Sequence, residues 1–195
     1  MRTPLAAVLM GVMFVVCCDL EQAVLPRPAV RITSHPNPTS TASAVPLWNR
    51  DGYAWYVTCA HCLPVAAVDG QVVMFSWKHP KLDLALLKVK GDVGVGSVLA
   101  QEVPGFGERL TAMGHGLGEF LQLTDGRAGY TPGDMTCPVI FGCSGGAVLN
   151  SRNELVGIIR RLRVLNNPWG VPVTHVSQYI PLRGLETWLK HPPGL

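Results

Sequence analysis

Charge is scarce in this sequence: Asp, Glu, Lys and Arg make up 15% of 195 residues, and 16 basic against 13 acidic residues leave a net charge of only +3. Apart from Arg160, Arg161 and Arg163 the basic residues are scattered, so the concentrated positive surface that nucleic-acid binding requires is missing. No apolar run reaches the roughly 20 residues of a membrane-spanning helix. Glycine and proline, 21 and 16 residues, stay below the roughly 25–30% of low-complexity chains, and 48% hydrophobic content is enough for a core. Pervasive disorder is thereby excluded. Heptads, internal repeats and phosphate-type glycine loops are also missing, and the length allows one domain or two small fused barrels.

What is present begins with an apolar N-terminus. Arg2 precedes the run Leu5 to Cys18, in which all 14 residues are apolar or Gly, and Asp19 and Glu21 follow. That length suits the roughly 7–15-residue hydrophobic region of an export signal. Residues 1–23 are therefore expected to be a signal peptide or a lipoprotein-like anchor, and the chain to be exported: periplasmic, extracellular, or attached to a membrane through this segment. Residues 24–40 carry Pro26, Pro28, Pro36 and Pro38 among Ser and Thr, which predicts a Pro-rich linker with the folded domain starting at Thr41.

Beyond it the pattern is short strands and turns. TASAVPLW, the Asp51-Gly52 turn and YAWYVTC form a hairpin signature, and strand-like runs recur at 71–76, 84–90, 108–113, 137–141, 147–150, 154–160 and 170–176. Leu182, Leu185, Trp188 and Leu189 stand at helical spacing in the tail, which predicts one amphipathic C-terminal helix, packed on the second of two barrels. Many strands and a single late helix make the chain all-β, a sandwich or barrel.

Three segments carry reactive side chains. Thr58-Cys59-Ala60-His61-Cys62 ends a strand at a histidine, Leu82-Asp83-Leu84-Ala85-Leu86-Leu87-Lys88-Val89 opens an apolar strand with an aspartate, and Gly142-Cys143-Ser144-Gly145-Gly146 places a hydroxyl in a glycine-rich turn. A hydroxyl nucleophile needs a base, the base needs an orienting carboxylate, and the developing oxyanion needs aimed donors. His61, Asp83 and Ser144 supply the first three groups. Glycines around Ser144 let the Gly142 and Ser144 amides turn into one pocket.

These motifs resemble those of the trypsin-like, chymotrypsin-fold serine peptidases, and within them the compact HtrA-like branch. TCAHC stands where the family has T-A-A-H-C or T-N-A-H-V, LDLALLKV where it has D-I-A-L-L-K-V, and GCSGGAVLN where it has G-x-S-G-G-P-L-x-N. The resemblance spans residues 41–190 and keeps the family's order. It implies two antiparallel six-stranded-type β-barrels, about 41–103 and 104–181, with the active site between them. It further implies a serine endopeptidase acting on polypeptides through an acyl-enzyme, with His61 as general base and acid, Asp83 its orienting partner, Ser144 the nucleophile, and the Gly142 and Ser144 amides as oxyanion hole. No metal or cofactor is needed for that reaction. The alternative is a catalytically silent relative that binds peptides in the cleft.

Several positions depart from the family pattern. Asp83 follows His61 by only 22 positions, which implies trimmed loops in the first barrel. Cys143 replaces the Asp or Asn that usually precedes the nucleophile, and it reads as a packing group or a disulfide partner. Cys59, Cys62, Cys137 and Cys143 read as disulfide-bonded in an exported chain, or else as a zinc ligand set built on the Cys59–Cys62 knuckle. Arg160 stands where a small hydroxyl or amide residue is usual. Pointing inward it would pair with Asp83, whereas pointing outward it would join Arg161 in a basic rim. Pro138 aligns with the floor of the primary specificity pocket, with Val139 and Ile140 beside it and Leu162, Trp169 and Val171 opposite, which predicts an apolar or narrow pocket.

Overall fold

Runs rich in β-branched and aromatic residues, cut by Gly, Asp and Pro, pair as strands rather than propagate helix. A computed structural model describes residues 29–34, 40–166, 169–170 and 172–191 and is all-β apart from one 3-10 turn and one short helix. Strands β1 (Val30–Ser34), β2 (Thr41–Arg50), β3 (Tyr53–Thr58), β4 (Val65–Val68), β5 (Gln71–Lys78) and β6 (Ala85–Lys90) close a barrel in the order β1-β2-β3-β6-β5-β4. The Asp51-Gly52 turn joins β2 to β3 as the alternation predicts, with φ of 54° and 76°. Asp69 and Gly70, at φ 46° and 80°, join β4 to β5 in the same way. Two strands and a two-residue turn therefore fit between His61 and Asp83, and the short interval trims loops without costing a strand.

The second sheet contains β7 (Arg109–Gly116), β8 (Phe120–Arg127), β9 (Asp134–Met135), β10 (Ala147–Asn150), β11 (Leu155–Asn166) and β12 (Pro172–Pro181), ordered β8-β7-β10-β11-β12-β9. Its outer strands are drawn together by an Ala128–Met135 bridge and by the Thr136 N–H, which donates to the Arg127 carbonyl at 2.9 Å. Past Ile159, β11 pairs only with β12, so one backbone edge of residues 160–166 is left without a strand partner among the described residues.

Four expectations need correction. The linker assigned to residues 24–40 contains β1, which pairs with β2 and β4 and closes the first barrel; Ile32 is fully buried there, and apolar Val30 and Ile32 outweigh the flanking prolines. The run 137–141 is a loop: Cys137 and Val139 are buried, but the segment joins no ladder and leads into the turn before Ser144. β8 was not predicted, because as an edge strand it exposes Phe120, Leu121 and Leu123 and carries little inward periodicity. The C-terminal helix, α1 (Glu186–Lys190), is short and packs on the first barrel rather than the second. Leu182 and Leu189 join the core cluster of Val45, Leu86 and Leu87, and the Trp188 ring meets His79 edge-on at 4.8 Å. Residues 1–23, and Val171, lie outside the described residues. Among the described residues no helix is long and apolar enough to cross a membrane.

The first core cluster also takes in Ala147, Leu149, Leu155 and Ile158 from β10 and β11, so the two halves share a wall. A second cluster, with Leu110, Met135, Val156 and Ile159, fills the other sheet. Leu189→Ala should cost about 2–5 kcal/mol of stability, the range for a fully buried leucine, read from urea unfolding; a loss below 0.5 kcal/mol, on the order of a surface substitution, would show that α1 is not part of the core.

Candidate active site

Where β3 ends, Ala60–Cys62 form a 3-10 turn that brings the chain round under the start of β6, and the Ala60 N–H donates to the Asp83 carbonyl at 3.2 Å. This contact sets His61 beside Asp83. His61 Nδ1 lies 2.8 Å from Asp83 Oδ2, and the His61 backbone N–H donates to Oδ1 at 2.9 Å. Both carboxylate oxygens thus meet His61, which fixes the ring's orientation. Burial pushes the Asp83 carboxyl up, but hydrogen bonds from the His61 ring and N–H, aided by Arg160, hold it below its ordinary value.

The His61 imidazole is pushed up to about 9, first by its interaction with Cys62 and then by Asp83, against the opposing effect of burial. Cys62 is lowered to about 5 by its interactions with Cys59 and His61, which outweigh burial. Cys59 moves the other way, raised by Cys62 and by burial, while its thiol donates to the Ile159 carbonyl at 3.1 Å. The His61 imidazole is thus biased toward its protonated form beside Asp83, while the Cys62 thiol reaches the Ser144 carbonyl at 4.0 Å.

Ser144 follows a loop whose conformation is forced by crowding. A β-carbon on Gly142, at φ +93°, would lie 2.4 Å from the His115 carbonyl oxygen, and one on Gly145, at φ +85°, 2.0 Å from the Ser43 carbonyl oxygen. The Leu117 N–H donates to the Phe141 carbonyl at 2.7 Å, which in a planar peptide turns the Gly142 N–H the opposite way. Cys143, Gly145 and Gly146 amides all have carbonyl partners, whereas among the described residues the Gly142 and Ser144 amides donate to nothing. Two uncommitted donors beside a hydroxyl form the arrangement expected of an oxyanion hole.

The Ser144 hydroxyl donates to the Arg160 carbonyl at 3.2 Å, and among the described residues no hydrogen bond joins it to the His61 ring. Arg160 also points inward: its Nε donates to Asp83 Oδ2 at 3.3 Å, the oxygen that meets His61 Nδ1. Arg161 instead reaches Gln178 Oε1 at 3.0 Å on the surface, so only it belongs to a basic rim. His61, Asp83, Ser144, Gly142, Arg160, Arg161 and Leu162 all line a cleft of about 1260 Å³, with Val139, Ile140 and Phe141 on one wall. Pro138 does not line it: alternation along the loop buries Cys137 and Val139 and turns Pro138 outward, where its carbonyl accepts from Thr124 Oγ1 at 2.7 Å. Trp169 is not part of the wall either.

The four described cysteines are free, which corrects the disulfide expectation, and they do not form a single zinc ligand set. Cys59 and Cys62 belong to the first core cluster, Cys137 and Cys143 to the second. The latter two have their own acceptors, the Leu110 carbonyl and Gln122 Oε1. Cys143 is a packing group beneath Gly114, whose absent β-carbon would lie 2.9 Å from its Cα.

Sequence reasoning passed over Ser43. Fully buried on β2, its N–H donates to the Ser144 carbonyl at 2.8 Å and its hydroxyl to the Gly142 carbonyl at 2.9 Å. The hydroxyl accepts the His115 N–H at 2.7 Å, and its carbonyl accepts Thr58 Oγ1 at 2.7 Å. The available signal was a lone hydroxyl between alanines in an apolar strand.

Comparison with known proteins agrees with this geometry. Over residues 43–158, which include His61, Asp83 and Ser144, the chain matches the model of the trypsin-like peptidase domain. Among solved structures it is similar to the protease domain of MamO from Magnetospirillum magneticum, apo form, with a TM-score of 0.62 and 18% identity over 85% of this chain and 97% of that one. That identity speaks for the fold alone. No curated protein matches. With its three motifs inside the matched span and its two six-stranded sheets, the chain belongs to the trypsin-like peptidase domain family.

Proposed function

We propose that the protein is an exported serine endopeptidase that cleaves polypeptides through Ser144, His61 and Asp83. The observation that carries this reading is the pair of uncommitted Gly142 and Ser144 amides flanking a hydroxyl in the same cleft as a carboxylate-held imidazole. In the reaction, Ser144 Oγ bonds to the scissile carbonyl carbon while its proton passes to the His61 ring, and the oxyanion rests on the two amides. His61 then gives that proton to the leaving amine as the C–N bond breaks. Water, deprotonated in turn by His61, hydrolyses the acyl-enzyme and restores Ser144. Asp83 keeps the Nδ1 proton in place throughout, leaving the other ring nitrogen for transfer.

A polypeptide suits the cleft better than a small molecule. Its volume of about 1260 Å³ exceeds the roughly 300–1000 Å³ of small-ligand pockets. The open edge of β11 also offers an extended chain backbone pairing beside Ser144. Val139, Ile140 and Leu162 favour an apolar side chain next to the scissile bond. Export is supported by Arg2 and the apolar run that follows it.

A silent, peptide-binding cleft is the second reading, and the Ser144 hydroxyl resting on the Arg160 carbonyl favours it. The catalytic reading is preferred because an amide of a peptide paired along β11 would take that carbonyl and release the hydroxyl. A fluorophosphonate probe should label the folded protein at Ser144, with labelling abolished in Ser144→Ala and kept in Cys143→Ala. Unlabelled folded protein would establish the silent reading.

Only neutral His61 can accept the serine proton, so kcat/KM should rise with pH through about 9. Removing the Cys62 side chain takes away the first cause of that elevation, and Cys62→Ala should move the rising limb down toward the ordinary histidine value of about 6.5. An unmoved limb would show that Cys62 does not hold the proton on His61. Ser43→Ala leaves the Gly142 carbonyl without its hydroxyl donor and should lower kcat by about 10–100-fold with little change in KM, a part of what losing an oxyanion donor costs. A change confined to KM would assign Ser43 to substrate binding instead.

A further inference from the structure

The Cys59 thiol of the C-x-x-C knuckle takes no part in the proposed peptidase chemistry, yet it lies against the histidine–aspartate pair. Cys59 Sγ, a His61 ring nitrogen and an Asp83 carboxylate oxygen lie within 4.8 Å of one another, and the nitrogen that faces Asp83 is Nδ1. From this cluster we infer a binding site for a zinc-class divalent cation, held by Cys59, His61 and Asp83, whose occupancy switches the active site off.

The donors determine the class of ion. One thiolate, one imidazole and one carboxylate match a borderline-soft ion, whereas magnesium and calcium take oxygen sets. In a tetrahedral zinc site with bonds of about 2.0–2.3 Å, neighbouring donors sit roughly 3.3–3.6 Å apart. The His61–Asp83 contact at 2.8 Å need only widen by a fraction of an ångström, and Cys59 closes from within the 4.8 Å limit. The half-exposed His61 ring lines the cleft and gives the ion its route in, with the fourth position left to water.

Binding exchanges existing partners for the metal. The Cys59 thiol gives up its proton and its bond to the Ile159 carbonyl, His61 Nδ1 gives up its proton, and Arg160, 39% exposed in its side chain, swings off Asp83 toward the rim. The ion then occupies the nitrogen that Asp83 orients and withdraws electron density from the ring, so His61 cannot serve Ser144 as a base. Cys62 Sγ falls outside the three-atom cluster, and Cys137 and Cys143 lie in the other core. Binding is a property of the three side chains, while its effect on turnover rests on the peptidase reading.

Cobalt(II) serves as the probe, because a thiolate ligand gives a charge-transfer band in the near ultraviolet. The reduced full chain would be titrated in a Cys17→Ser, Cys18→Ser, Ser144→Ala background, which removes the thiols of the N-terminal segment and all peptidase activity. The expected result is a band saturating at one equivalent, abolished by Cys59→Ala, kept by Cys62→Ala, and bleached by zinc. A band that survives Cys59→Ala, disappears in Cys62→Ala, or never forms overturns the site; Cys59→Ser gives the same readout should the alanine variant not fold. With Ser144 restored, zinc should slow fluorophosphonate labelling at least 10-fold, with recovery on adding a chelator. Zinc-insensitive labelling alongside the cobalt band would overturn the inhibitory role, whereas a band without labelling in metal-free protein would overturn the peptidase reading and leave the site standing.

Discussion

One strand of the first barrel holds the Ser144 loop of the second sheet. Through Ser43, β2 grips the loop at the Ser144 carbonyl by its amide and at the Gly142 carbonyl by its hydroxyl, while its own carbonyl is held from Thr58, directly before the His61 turn. The cleft's two free donors belong to the peptides whose carbonyls, on Phe141 and Cys143, are held by the Leu117 and Gly146 amides, and Ser43 fixes the alternate peptides of the same loop. Gly145 lacks a side chain because β2 passes within 2.0 Å of where one would begin. The glycine-rich turn is shaped by this crossing as much as by any demand of a substrate.

The polar groups above that crossing compete. Asp83 Oδ2 meets both His61 Nδ1 and Arg160 Nε, and the Arg160 backbone holds the Ser144 hydroxyl. One residue thus touches the carboxylate with its side chain and the serine with its main chain, which couples the two ends of the cleft. Cys62 and Asp83 together bias the imidazole toward its charged form. The arrangement ties the imidazole, the carboxylate and the serine hydroxyl to one another through Arg160, so a change in any one bond shifts the others.

The sequence disclosed the parts of this molecule that repeat a local rule. The Asp51-Gly52 hairpin, the alternation of β2 and β3, and the three motifs with His61, Asp83 and Ser144 could be read because spacing alone encodes them. Features dependent on distant partners could not. β1 lies among prolines and becomes a strand only because β2 and β4 flank it, and β8 has no buried face to show a period. Pro138 faces away because of a bond from Thr124, α1 chooses the first barrel through His79, and Ser43 acquires three of its four partners 72 to 101 residues along the chain. The inward turn of Arg160 was one of two orientations open to the sequence, and only the position of Asp83 decides between them.

The four buried, unbridged thiols bear on how such a chain comes to exist. Cys59, Cys137 and Cys143 are shielded by the finished fold while Cys62 lines the cleft, and none is shielded before the barrels close. In an oxidising compartment the protein would then depend on a race: strands separated by a hundred residues must assemble before Cys59, Cys62, Cys137 and Cys143 meet an oxidant or one another. A bridge between cysteines that belong to different cores would hold the two halves in the wrong relation. Delivery already folded, or with a reductant or chaperone at hand, would decide the yield of native protein more than its equilibrium stability would.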